Sequence, residues 1–324
     1  MKYIDMHCDT LMLAWMRKQN DIYDQPEMMV DISRLVKGGC KAQFFAIFLP
    51  SPRMKARMGL EAMKDDDYIT QLSEIMKNTL ERHPGEIARA VSLADILAND
   101  RAGKVSAVLT MEDGRSVDGR MEKLEYYYEM GVRVIGLTWN QENCFGAPNS
   151  PDASIMSKGL TAFGRDAIIR MNELGIGIDV SHLSDGGFWD VAGLTKKPFF
   201  ATHSNCRSLN PHPRSMTDEM IRALADKGGV MGVNFCPEFL IGDTENSCST
   251  CEMLTAQLRH MIKVGGEDCA AIGTDFDGIN GKLEIGSAHQ MPMLFTGLEK
   301  AGFTPAQIEK IAFRNVERIL ADVL

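Results

Sequence analysis

The sequence predicts an α/β fold, a (β/α)8 or TIM barrel, on three observations. Eight short apolar runs rich in Val, Ile and Phe recur along the 324-residue chain. The segments between them are long enough to cross back as helices. Polar side chains able to do chemistry sit where those runs end, which is where such barrels carry their sites.

The runs are KYIDMH (2–7), AQFFAIFL (42–49), VSAVLTM (105–111), VRVIGLT (132–138), GIGIDVS (175–181), PFFAT (198–202), GVMGVNF (229–235) and AAIGTDF (270–276). Runs this apolar suit strands covered on both faces. Between them, MEKLEYYYEMG (121–131), GLTAFGRDAIIRMNELG (159–175) and TDEMIRALADKG (217–228) repeat apolar residues three and four apart and end on Gly, the pattern of a helix and its stop. An open doubly wound sheet is the competing layout, but neither GxGxxG nor GxxxxGK[ST] stands at a strand–helix turn. No internal repeat, low-complexity tract or linker divides the chain. Residues 1–324 are therefore expected to form one barrel domain, with a mostly helical insertion around 51–101 and a loop insertion around 236–252. The C-terminal TPAQIEKIAFRNVERILADVL predicts a helix capped by Thr304, with Pro305 in its first turn, packed against the barrel.

Composition narrows the function. With 44% hydrophobic and 24% charged residues the chain has ordinary globular composition and enough apolar side chains for a large core. A formal charge of -9 argues against nucleic-acid or anionic-membrane partners, which attract basic surfaces. The N-terminus lacks a signal-peptide pattern and no apolar run approaches the ~20 residues of a membrane span, so a cytoplasmic location is expected. Eight scattered cysteines do not form a disulfide framework. Cys248 and Cys251 make a CxxC, but no second pair or nearby His completes a zinc set, and they read as loop thiols.

The polar residues at the strand ends carry the chemistry. His7 and Asp9 follow the first run, Glu112 the third, His182 the fifth and His203 the sixth, while Asp275 closes the eighth. Alternation along a strand turns His7 and Asp9 to one side. Taken singly, each histidine reads more readily as a hydrogen-bonded structural group than as a ligand, and Glu112 as a helix-start acid. Together, three imidazoles and two or three carboxylates from separate strands suit a divalent cation, zinc first. One zinc takes about three protein ligands plus water. The surplus fits two ions, roughly 3.5–4 Å apart, bridged by a carboxylate and a hydroxide.

The ordered motifs DMHCDT, MEDG, GLTWNQEN, DVSHLSD, ATHSNCRSLNPHPRSM, GVMGVNF, IGTDFDGI and IAFRNVERIL resemble those of the renal (membrane) dipeptidases. That family comprises zinc peptidases on metal-dependent hydrolase barrels of the amidohydrolase superfamily. The resemblance runs over essentially the whole chain. It implies that His7 and Asp9 hold one zinc, that Glu112 bridges both, that His182 and His203 hold the other, and that a water or hydroxide lies between the two ions. It implies further that Asp275 is the catalytic acid and base, and that Arg214 grips the carboxylate of a small L,L or L,D dipeptide, a task suited to a guanidinium fork. Asp277 then reads as a capping residue and Arg207 as the partner of a loop acid. The family's substrate-contacting histidine is replaced here by Trp139, which offers one indole N–H and no charge. Oxyanion support then falls to zinc, Asn140 or Asn143. A homodimer is compatible with the resemblance, with no interface legible in the residues. Two other readings stay open: a related binuclear hydrolase acting on N-acyl amino acids or lactams, and a catalytically silent metal-binding barrel.

Overall fold

The computed structural model describes residues 1–59, 62–241 and 248–324. Its main sheet closes on itself. Strands β1 (Tyr3–Cys8), β2 (Cys40–Phe48), β3 (Val105–Glu112), β4 (Val132–Gly136), β5 (Gly177–Asp179), β6 (Phe200–Ser204), β7 (Val230–Val233) and β8 (Ala270–Ile272) each pair in parallel with the next, and β8 pairs back onto β1. All eight apolar runs thus lie on barrel strands, as a (β/α)8 barrel requires.

The connecting helices start and stop where the sequence places capping chemistry. Thr161, Ser184, Thr217 and Thr250 each accept a backbone N–H of the first turn through their hydroxyl, which supplies one of the donors a helix start leaves unpaired. Gly131 and Gly175 end their helices in the left-handed region at φ 103° and 77°, where a Cβ would be strained. At the C-terminus Thr304 and Gln307 form a reciprocal capping box around the helix start, with Pro305 in its first turn. The helix then passes through one π-type turn, Lys310–Arg314, and runs on as Asn315–Val323. Val316, Ile319, Leu320 and Val323 pack there against Ile4, Phe44, Val108 and Phe200 of the barrel, joining the C-terminal helix to the strand core.

Both expected insertions contain more structure than their composition announces. Within 51–101 lie helices Pro52–Arg57, Asp65–Arg82 and Leu93–Arg101 and also a short strand, Ile87–Arg89. That strand pairs with Val105–Ala107 on the edge of β3 that β4 leaves uncovered until Leu109. The stretch 236–252 is not simply a loop. It holds helix Pro237–Ile241 and strand Cys248–Ser249, paired with Lys282–Leu283, before helix Cys251–Gly265 begins; its residues 242–247 lie outside the described residues. Cys248 and Cys251 are free thiols, and neither joins a metal-type cluster among the described residues. Among the described residues, no helix is long and apolar enough to cross a membrane.

Candidate metal centre

The carboxyl ends of the strands carry the site. His7 is the penultimate residue of β1, Glu112 the last of β3, and His203 sits within β6. His182 and Asp275 lie three residues beyond β5 and β8, on loops rather than on strands. His7 and Asp9 do not share a side through strand alternation: β1 shifts register between Asp5 and Cys8, and Asp9 is the N-cap of helix Thr10–Met16. A tight turn achieves the same convergence, with His7 Nε2 3.8 Å from Asp9 Oδ2.

Glu112 stands at the centre of the cluster. One of its oxygens, Oε1, lies 2.8 Å from His182 Nε2 and 3.6 Å from His203 Nε2, and the other, Oε2, lies 3.3 Å from His7 Nε2. His182 Nε2 and His203 Nε2 face each other at 3.2 Å. Asp275 Oδ1 is 3.8 Å from His7 Nε2, while its Oδ2 accepts from Asn234 Nδ2 at 2.7 Å. All these ligand-type side chains are buried. Yet His7 Nε2, Asp9 Oδ1 and Glu112 Oε2 have no hydrogen-bond partner among the described residues, and orphaned buried polar atoms on one focus are costly unless a further group satisfies them. Ligand atoms of His7, Glu112 and His203, and of His7, Asp9 and Asp275, gather closely enough to hold ions.

The electrostatics fit cations. Burial, then the Arg214 charge, lowers the His182 imidazole to about 4. Burial and the neighbouring His7 hold His203 well below its ordinary value. Both therefore favour the neutral ring, the form that donates a lone pair to a metal. Burial and the Glu112 charge raise Asp9 to about 7, and burial raises Asp275 to about 6. Burial opposes ionisation of Glu112, but His7 and the other imidazoles hold it well below the usual carboxylate range. Burial likewise disfavours a charged His7, yet Glu112 and Asp9 keep that ring well above its ordinary value. Such a crowd of acids and imidazoles is what a divalent ion neutralises.

A cavity of about 720 Å³ opens over the cluster. Asp9, Glu112, His182, Arg214 and Asp275 line its floor, and Met12, Phe48, Trp139, Ile155 and Phe239 are among its apolar walls. Arg214 is buried; its Nη2 donates to His182 Nε2 at 3.0 Å, its Nη1 donates to Ser181 O, and its Nε has no partner among the described residues. Trp139 packs edge-on against Phe48, ring centroids 4.9 Å apart. Asn140 Oδ1 lies 3.3 Å from His182 Nδ1.

Three sequence readings resolve here. Asn143 is not free to face a ligand: its amide donates to Asp113 Oδ1 and Leu137 O and accepts from Phe145 N, each at 2.8 Å. Asp277 accepts from Thr10 Oγ1 at 2.6 Å and Met29 N at 2.7 Å, the capping role expected of it. Arg207 forks onto Asp185 at 2.7 and 2.8 Å. Sequence reasoning missed Asn234, His212 on the cavity wall, and the buried acids Asp5 and Asp179. The legible signal for the last two is an acid inside an otherwise apolar run.

Comparison with known proteins follows the same lines. The family model for membrane dipeptidase, peptidase family M19, matches residues 1–324. An uncharacterized protein in the pqqA 5' region of Klebsiella pneumoniae is 39% identical over 267 residues, covering 79% of this chain and 96% of that one. An uncharacterized dipeptidase of Schizosaccharomyces pombe is 29% identical over 344 residues, 98% of this chain and 79% of that one. Among solved structures, a metallo peptidase from Rhodobacter sphaeroides, liganded with a phosphinate mimic of the dipeptide L-Ala-D-Ala, superposes with a TM-score of 0.89 at 24% identity and covers 100% of this chain and 99% of its own. The probable dipeptidase PvdM from Pseudomonas aeruginosa gives 0.85 at 20% identity, over 93% and 90%.

Proposed function

The chain belongs to the membrane dipeptidase family, peptidase family M19, and from that premise we propose that it hydrolyses the peptide bond of small L,L and L,D dipeptides with two zinc ions. The observation that carries this reading is the split carboxylate of Glu112, with one oxygen toward His182 and His203 and the other toward His7, among buried atoms that lack partners among the described residues. His7 and Asp9 would hold one ion, His182 and His203 the other, and Glu112 both. When bound, such ions polarise the scissile carbonyl and make water acidic enough to attack it at neutral pH.

The chain's own residues do the rest. Asp275, steered by Asn234, accepts the proton of the attacking water and passes it to the departing amine. Arg214 reaches the cavity from a buried position and receives the C-terminal carboxylate as a charge-assisted pair. Trp139 and Phe48 form an apolar wall for a substrate side chain, while Asn140 orients His182 through its Nδ1. The dipeptide mimic carried by the Rhodobacter sphaeroides relative supports a substrate of this size.

The test is to purify the full-length chain, count its metal ions and screen free dipeptides beside their N-acylated and amidated forms. Turnover of free L,L and L,D dipeptides, abolished by a chelator and restored by zinc, is the expected result. Turnover restricted to N-acylated substrates, or undiminished without metal, overturns the reading.

A further inference from the structure

His203 gives one ring nitrogen to the cluster and the other to a buried hydroxyl. Thr202 Oγ1 lies 2.8 Å from His203 Nδ1 and 2.6 Å from Asp179 Oδ2. Ser181 Oγ lies 2.6 Å from Asp179 Oδ1 and accepts the backbone N–H of His203 at 3.1 Å. The backbone N–H groups of Ser181 and Thr202 also point to Asp179 Oδ1, at 3.0 and 2.9 Å. Asp179, Ser181, Thr202 and His203 are all buried.

With Asp179 ionised, its two 2.6 Å contacts take the hydroxyl protons in preference to the longer 3.2 Å contact between Ser181 Oγ and Thr202 Oγ1, and proton counting leaves one arrangement. A carboxylate only accepts, so each hydroxyl spends its single proton on Asp179. Thr202 Oγ1 is left with lone pairs alone toward His203, and Nδ1 must carry the proton that fills the 2.8 Å contact. His203 Nε2 therefore keeps its lone pair, and it points at Glu112 Oε1 and His182 Nε2. We infer that Asp179 is a positioning residue which, through the Thr202 hydroxyl, locks His203 in the Nδ1-protonated tautomer and so sets the affinity for the cation on the His182 and His203 side.

A second acid shows what is specific about this relay. Asp5 accepts from Thr274 N at 2.8 Å and Thr274 Oγ1 at 2.7 Å, as Asp179 does from Thr202, but the other contacts of Thr274 Oγ1 are to backbone, the oxygen of His7 at 3.4 Å and the N–H of Phe276 at 3.2 Å. That chain ends on backbone; the one from Asp179 ends on an imidazole. Carboxylate and hydroxyl partners behind a ligating histidine commonly govern metal affinity by 10–100-fold.

This inference rests on the metal reading, and its test separates the two. Long-range proton–nitrogen correlation spectra of the metal-stripped, histidine-labelled chain report the His203 tautomer directly. Zinc affinity is measured by competition with a chromophoric chelator. The wild type is expected to show Nδ1–H at His203. Thr202→Val is expected to lose that signature and bind one of two zinc ions about 10–100-fold more weakly, with Thr202→Ser restoring both. An Nε2–H signal at His203 in the wild type, or wild-type tautomer and affinity in Thr202→Val, overturns the relay. Should Thr202→Val fail to fold, the wild-type tautomer and the Thr202→Ser affinity decide. A wild type that takes up no zinc refutes the metal reading, while the tautomer still decides the relay.

Discussion

Asn234 donates its side-chain amide to Asp275 Oδ2 at 2.7 Å, which fixes the carboxyl group and leaves Oδ1 turned toward His7. Asp275 holds this pose with a backbone φ of 63°, a left-handed conformation that Asp and Asn tolerate better than other side chains. Asp275→Asn is therefore the clean substitution, since it keeps the backbone and removes the base. Turnover is expected to fall roughly 10²–10⁴-fold with the metal count unchanged. Asn234→Ala, which frees the carboxyl without removing it, is expected to cost about tenfold in kcat. Burial puts Asp275 at about 6, and adjacent cations draw it lower. A base works only when deprotonated, so kcat is expected to rise with pH along a limb at or below about pH 6 and to lose that limb in Asp275→Asn. Steady-state kinetics and metal analysis of both variants check this, and wild-type turnover in Asp275→Asn contradicts the proton-transfer role.

Arg214 supplies a guanidinium to the cavity, its Nε unpartnered among the described residues. A charge-assisted pair with a substrate carboxylate contributes roughly 1.5–3 kcal/mol. Arg214→Ala is thus expected to raise KM for free dipeptides about 10–100-fold and to change turnover of the corresponding amides little. Equal loss on both substrate sets removes the carboxylate clamp.

Metal affinity should itself depend on pH. Burial and Glu112 raise Asp9 to about 7, so below that pH Asp9 carries a proton that an incoming cation must displace. Zinc affinity is expected to weaken as pH falls from 8 to 6, with proton release on binding, both measurable by calorimetry in buffers of different ionisation enthalpy. Zinc at about a thousand times its Kd stabilises by roughly 4 kcal/mol, so chelation should lower the Tm. An identical Tm with and without zinc contradicts the site.

Much of this was legible in the sequence because apolar strands leave polar residues conspicuous. His7, Glu112 and His203 announce themselves as ionisable side chains that end or interrupt mostly apolar runs. Other features depend on contacts between distant segments. Ile87–Arg89 is too short to show a period, and it exists because β3 has a free edge there. Asn143 looks free in GLTWNQEN, but its own loop consumes its amide. Asn234 and Asp179 gain their roles from Asp275 and Thr202, partners 41 and 23 residues away.

Gly278 offers a test of how tightly the site is packed. Its backbone passes so close to Asp9 that a Cβ placed there would overlap Asp9 Oδ2 and come within 3.0 Å of Asp275 Oδ1. Two carboxylates that the proposed mechanism needs in fixed places would have to move for one methyl group. Nearby Ile279 and Phe276 are buried and can hold the loop in the barrel mouth, so the displacement should fall on the acids rather than on the fold. Gly278→Ala is therefore expected to keep the wild-type circular dichroism spectrum, to bind zinc at least tenfold more weakly, in the range that misplaced ligand shells show, and to lose turnover in parallel. Wild-type zinc affinity in a folded Gly278→Ala protein would show that Asp9 can shift without consequence, and Asp9 would then no longer stand as a ligand.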